Sequence, residues 1–142
     1  LEAKNISYYT AVGNKAMVQG GKVSGGEWID TIRFRDWLKT EIQSKVLNLF
    51  LGLSKVPFTD QGIALVQNAV IDALEEGVRA GGIVQEASSE DGEATQSYTV
   101  TVPRAADLDA ATRKSRKLTG VTWSAQLAGA LIAAKIGGTL NY

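Results

Sequence analysis

The 142 residues suit one compact domain, and a hydrophobic fraction of 44% is ordinary for a chain that buries a core. Fifteen basic residues balance 15 acidic ones, which argues against a nucleic-acid binder, because phosphate contacts call for a basic excess. With neither cysteine nor histidine, composition excludes disulfides, thiolate chemistry, the usual zinc sites and an imidazole general base. No apolar run approaches the roughly 20 residues of a membrane span. Val121–Ile136 comes nearest, and Thr122, Ser124, Gln126 and Lys135 interrupt it. The chain opens on Leu1 with no signal-peptide pattern, so it reads as a piece of something longer.

Asn5–Val12 is rich in aromatic and β-branched residues and reads as a strand. Gly13-Asn14 is turn chemistry and Ala16–Gln19 a second short strand, which together predict a hairpin. Gly20-Gly21 and Gly25-Gly26 bracket a corner at Lys22–Ser24. From Trp37 onward the apolar spacing is helical. Leu38, Ile42, Val46 and Leu49 share a face, which predicts a helix over Asp36–Leu51. Glu27–Arg33 fits a strand or first helical turns, and is read as strand passing into helix. Gly52 and Pro57 end it.

Thr59 suits an N-cap, and Asp60 suits the positive end of a helix dipole. Ile63, Val66, Val70, Ala73, Leu74 and Val78 then form an apolar stripe, with Gly81-Gly82 as the stop, so a second helix is predicted over Asp60–Ala80. Ile83–Glu86 and Ser97–Val102 read as the strands of a second hairpin around a solvated loop, Ser88–Glu93. Ala105–Lys117 holds one or two helical turns ending at Gly120. In Val121–Gln126 apolar and polar residues alternate, as in a half-buried strand. Leu127–Ala134 is helix-prone by propensity alone. Strand is preferred there, because Ile136 and Gly137-Gly138 lead directly into Thr139–Tyr142. The order predicts a single domain of the α+β class, with two main helices packed on a mostly antiparallel β-sheet.

Little in the sequence carries chemistry. Acid–base catalysis needs two carboxyls in one cleft with separated pKa values. Glu75/Glu76 lie on the polar side of a helix, Asp107/Asp109 suit the start of a short one, and Asp30/Asp36 have Arg33 and Arg35 as partners. Neither GxGxxG nor GxxxxGK[ST] occurs. Ser24 and Ser124 have no histidine with which to build a triad. No cofactor or metal is expected.

The densest charge cluster is Arg113-Lys114-Ser115-Arg116-Lys117. It reads as a solvated helix end whose cations suit the negative pole, or as a dock for an acidic surface such as the Glu86–Glu93 loop of a neighbour. The β-prone ends, Asn5–Val12 and Ile136–Tyr142, either pair within one sheet or offer unpaired backbone groups to another chain.

Three stretches carry a resemblance. The first is Gly20-Gly21-Lys22-Val23-Ser24-Gly25-Gly26-Glu27-Trp28-Ile29-Asp30, running into Ile32–Leu38; the others are Lys55–Ile63 and Ala125–Ala130. They resemble the C-terminal part of contractile phage tail sheath proteins of the DUF3383 type, over most of the chain but without the larger outer domains and upstream arm. The resemblance implies a structural protein and no enzyme, a core domain facing the tail tube and tied to its neighbours by terminal arms. Its partners would be itself, as a helical homo-oligomer, the tail tube protein, and baseplate and tail terminator proteins, with no nucleic acid and no membrane span. It would sit in the virion tail after assembly in the bacterial host cytoplasm. The subunit-interface candidates are Ile6, Tyr8 and Thr10 in the first strand, Arg113, Lys114, Arg116 and Lys117 in the basic run, and Ile136, Thr139, Leu140 and Tyr142 in the tail. Two alternatives stand beside this reading. One is another tail or injection-system component, such as a tube, baseplate or sheath terminator. The other is a small histidine-free enzyme working through Lys and carboxylates.

Overall fold

A computed structural model describes residues 6–85, 87–88, 94–95 and 97–131. The expected first hairpin is present as β1 (Tyr8–Val12) and β2 (Lys15–Gln19), antiparallel, with Tyr9 opposite Val18 and Thr10 opposite Met17. Gly13 takes φ 61, the left-handed turn conformation that glycine adopts without a steric penalty.

The corner after β2 corrects one expectation. Glu27–Arg33 does not run as a strand into a helix: α1 spans Ile29–Gly52, and of the segment before it only Trp28 makes a single bridge, to Lys22. The corner folds tightly, with Gly26 N–H donating to Val23 O at 2.8 Å and Val23 N–H to Glu27 O at 2.8 Å. Its fold brings the Gly21 carbonyl within 2.8 Å of Ile29 N–H, so a first-turn donor that a helix leaves orphaned finds an acceptor. Lys22 Nζ lies 4.9 Å from the centre of the Trp28 ring, a cation–π contact that ties the corner to the helix start. Asp30 sits in the first turn, where negative charge suits the dipole. These terms outweigh the β preference of Ile29 and Ile32, which amounts to a few tenths of a kcal/mol per residue.

The second helix, α2, spans Asp60–Arg79. Thr59 caps it as expected, its Oγ1 accepting from Gly62 N–H at 3.3 Å. Its end is a glycine stop: Gly81 turns to φ 75, while Gly82 and Ile83 N–H reach back to the Gly77 carbonyl. Phe34, early in α1, fits against Gly77 and Gly82 at the end of α2, whereas Phe50, late in α1, lines a slot with Gly62, Ile63 and Val66 at its start. The two helices therefore run antiparallel. Leu38, Val70, Leu74 and Ile83 form the buried centre, with Phe34, Ile42, Val46, Tyr98 and Val100 packed around it.

Gly62 is fixed by close approach, since a methyl group there would run into the Pro57 carbonyl. Backbone cannot yield as a side-chain tip can. We expect Gly62→Ala to lower stability by about 1–3 kcal/mol in urea unfolding, the usual cost of overpacking. Unchanged stability would show that the loop before α2 is free to move away.

The second half departs from the expected hairpin. Among the described residues Ile83–Gln85 and Ser97–Val102 do not pair with one another. β5 (Tyr98–Thr101) pairs antiparallel with β6 (Thr122–Ala125), and Ile83 bridges to Leu127 just beyond it. Gln126 decides the geometry: its N–H donates to Ser97 O at 2.8 Å and its carbonyl accepts from Val84 N–H at 3.0 Å. Backbone groups of one strand residue point to the same side, so residues 82–84 and β5 lie in line along one edge of the 122–128 segment. They behave as one strand interrupted by an excursion, in which β3 (Ala87–Ser88) and β4 (Ala94–Thr95) pair antiparallel. The class is α+β with antiparallel pairing throughout, as the sequence predicts. Among the described residues the sheet is divided into two-stranded ribbons.

The expected turns in Ala105–Lys117 are a 3-10 turn at Ala105–Asp107 and a short helix, α3 (Ala110–Ser115). Ala105 N–H donates to Asp60 Oδ1 at 2.7 Å, and Gln67 Nε2 donates to Val100 O at 3.3 Å, which fastens this half of the chain to α2. Strand in the tail is present over Thr122–Ala125; Gly129–Leu131 is irregular, and the proposed strand at Ile136–Tyr142 lies outside the described residues.

Candidate functional site

Four of the carboxylates picked out as pairs, Asp36, Glu75, Glu76 and Asp109, engage neighbouring groups. Asp109 caps α3, accepting from Thr112 N–H at 2.7 Å, and hydrogen bonding from Thr112 holds its pKa below the usual value. The Arg79 guanidinium, hydrogen-bonded to Glu76, lowers that carboxyl likewise. Glu75 faces the Tyr98 hydroxyl at 3.4 Å, and Tyr98 titrates above its ordinary value, first because burial disfavours the phenolate and then because Glu75 is negative. Asp36 lies 3.8 Å from Arg35. Among the described residues no group of three or more Asp or Glu is placed to hold a metal, and no helix is long and apolar enough to cross a membrane.

What the structure offers instead is unsatisfied surface. Among the described residues the β1–β2 hairpin packs on itself and makes no substantial contact with a helix or another strand. Tyr9, Ala11, Ala16 and Val18 share one of its faces by register, and Tyr9 is 75% and Val18 66% exposed. An isolated two-stranded hairpin is marginal in water, so this one is suited to being covered. Helix α1 shows the same property. Of its residues only Leu38 is buried, while Trp37, Leu47, Phe50 and Leu51 are exposed. Apolar side chains stand all round it, the pattern of a helix packed on more than one side.

The interface candidates fall into three places. Ile6 is exposed ahead of β1; Tyr8 is half-buried, its hydroxyl donating to Gln19 Oε1 at 3.0 Å, and Thr10 is half-buried opposite Met17. Arg113 and Lys114 occupy the last turn of α3, Arg116 follows in the left-handed conformation at φ 56, and Lys117 comes next, all exposed. Ile136, Thr139, Leu140 and Tyr142 lie outside the described residues. Among the described residues the hairpin and the α3 run make no substantial contact with each other.

One surface escaped the sequence reading. By the alternation that Gln126 sets, Trp123, Ala125 and Leu127 direct their backbone N–H and C=O away from β5, and among the described residues no strand pairs with that side. The opposite side of the ribbon is partly occupied, since Gln67 reaches the Val100 carbonyl. Among the described residues the outer edge of β6 is therefore unpaired, and it is uncharged and β-prone, with Trp123 and Leu127 each 43% exposed. The alternation of Val121–Gln126 signalled the strand, but whether a strand is an edge depends on partners far away in sequence.

A family model described as E217 tail sheath protein gp31-like, C-terminal domain, matches residues 29–140. The chain belongs to that tail sheath family. No curated protein matches it. The match begins at the first residue of α1, so the free hairpin and the glycine corner lie ahead of it and the ribbon with its open edge lies within it. As a sheath domain the chain has a structural role in a phage virion tail, assembling with itself and other tail components. Unpartnered apolar surface and an open strand edge are what such a role requires.

Proposed function

We propose that this domain links subunits of a contractile tail sheath, assembling helically around the tail tube protein through β-strand pairing between subunits. The open outer edge of β6 carries the reading, because it offers the backbone groups of Trp123, Ala125 and Leu127 to a strand from outside. The donors are the terminal segments, Asn5–Val12 with Ile6, Tyr8 and Thr10, and Ile136–Tyr142 with Thr139 and Leu140, each adding to a neighbour's ribbon. Contraction is then a rigid-body rearrangement in which the strand links hold while the bodies rotate, driving the tube into the host. Baseplate and tail terminator proteins close the two ends of the assembly. Folding itself takes place in the host cytoplasm, before the tail is built.

Electron micrographs of the purified protein should show sheath-like tubes. Trp123→Pro removes an outward N–H that pairs with no strand among the described residues, and proline is tolerated on such an edge. We expect it to abolish tubes while the monomer stays folded, with Trp123→Ala, which keeps the N–H, as the control. Tubes from the proline variant would rule out the β6 edge as acceptor.

A further inference from the structure

An apolar slot opens to solvent where four separate pieces of the chain meet. Phe50 comes from the end of α1, Phe58 from the loop before α2, Ile63 and Val66 from the start of α2, and Arg116 and Leu118 from the strap 116–118 after α3. Arg116 carries the one hydrogen-bonding side chain among the residues that line the slot. Its volume is about 90 Å³. An apolar cavity of about 150 Å³ holds a benzene ring, so this one has room for a single aliphatic side chain. Water inside it gains little from the walls and is readily displaced by an apolar group.

The rim of the slot on the Arg116 side is cationic. Arg113, Lys114, Arg116 and Lys117 are all exposed, and no ion pair among the described residues involves them. The nearby carboxylates are engaged elsewhere: Asp109 caps α3, and Asp60 accepts from Ala105 N–H. Arg116 also holds φ 56, a left-handed conformation that strains a residue with a Cβ and costs glycine nothing. Glycine would serve the turn better, so the backbone does not account for an arginine at this position.

We propose that the slot takes one aliphatic side chain of an acidic peptide segment from a partner protein, whose flanking carboxylates lie on Arg116 and the cations beside it. A guanidinium pairs with a carboxylate through two parallel hydrogen bonds, which fixes the segment's direction across the slot. Exposed ion pairs are weak alone, and the buried side chain supplies what they lack. Clustered basic residues recognise acidic motifs in this way. An anionic membrane matches the charge but not the shape, because proteins that lie on membranes insert their own apolar side chains and offer no slot for another's. The contact needs no strand pairing and lies apart from the β6 edge.

An NMR titration of the nitrogen-15-labelled protein with the synthetic peptide acetyl-Asp-Glu-Leu-Glu-Asp-amide tests this. The amide signals of Ile63, Val66 and Leu118 should shift and saturate. Replacing the peptide's leucine by serine should weaken binding at least about tenfold, the worth of one buried aliphatic side chain. Replacing its acids by lysine should abolish binding, and 1 M salt, where the Debye length is about 3 Å, should weaken it. Arg116→Gly suits the left-handed backbone, so it should melt no lower than the parent while binding falls about tenfold, as for a lost charged hydrogen bond. No saturable shift, equal binding of the leucine and serine peptides, or an Arg116→Gly protein that binds like the parent overturns the proposal. Binding to phosphatidylserine vesicles without peptide-induced shifts overturns it in favour of a membrane surface.

Discussion

Val70→Asp should leave the domain largely unfolded at 25 °C. Val70 lies in the middle of α2 at 3% exposure, within the cluster of Leu38, Leu74 and Ile83. An aspartate there must be ionised without a partner or protonated at neutral pH, and either choice costs several kcal/mol. Domains of this size have about 5–15 kcal/mol in total, and the buried set here is small, so the loss takes most of what is available. Val70→Ala separates charge from volume, because it removes only methyl groups and should cost about 1–3 kcal/mol. Urea unfolding followed by circular dichroism reads both. If the aspartate variant unfolds at the parent's midpoint, α2 does not bury this face.

Deleting Gly138–Tyr142 should abolish tubes and leave the fold intact. Among the described residues the centre of the core is Leu38, Val70, Leu74 and Ile83, and the ribbon runs as far as Leu127. In the proposed assembly the same residues would donate a strand, and each backbone hydrogen bond made across subunits is worth roughly 0.5–1.5 kcal/mol net. Several per link, repeated at every subunit, separate a polymer from a monomer. Sedimentation and electron microscopy of the truncated protein test this alongside its melting curve. Normal tubes would make the tail idle, and loss of folding would make it internal; either result removes strand donation by this segment.

How much of this was legible in the sequence depended on how local each cause is. α2 was readable almost to the residue, because Thr59, the stripe from Ile63 to Val78 and Gly81 all act within a turn or two. The β1–β2 hairpin was readable for the same reason, through Gly13-Asn14. The start of α1 was not, since what favours helix at Ile29 is a carbonyl delivered by Gly21 through a folded corner. The pairing of β5 was misread because adjacent strands are the natural first guess. Its partner, β6, comes after the 3-10 turn and α3, and the hydrogen bonds of Gln126 with the Ile83–Leu127 bridge reveal that Ile83–Val84 shares it. The basic run was visible as composition. The open edge of β6 was invisible for a related reason, because an edge is defined by what fails to arrive beside it.

The interrupted strand has a consequence for what the fold can tolerate. Val84 and Ser97 are both held by Gln126, so the ends of the intervening segment are pinned close together by backbone bonds outside it. Closing a loop between fixed ends depends only weakly on its length, and each doubling costs about 0.6 kcal/mol. Among the described residues the core of Leu38, Val70, Leu74 and Ile83 draws on none from between those anchors. The chain therefore contains a splice point within its own ribbon, where whole modules can be gained or shed while the register on either side is kept.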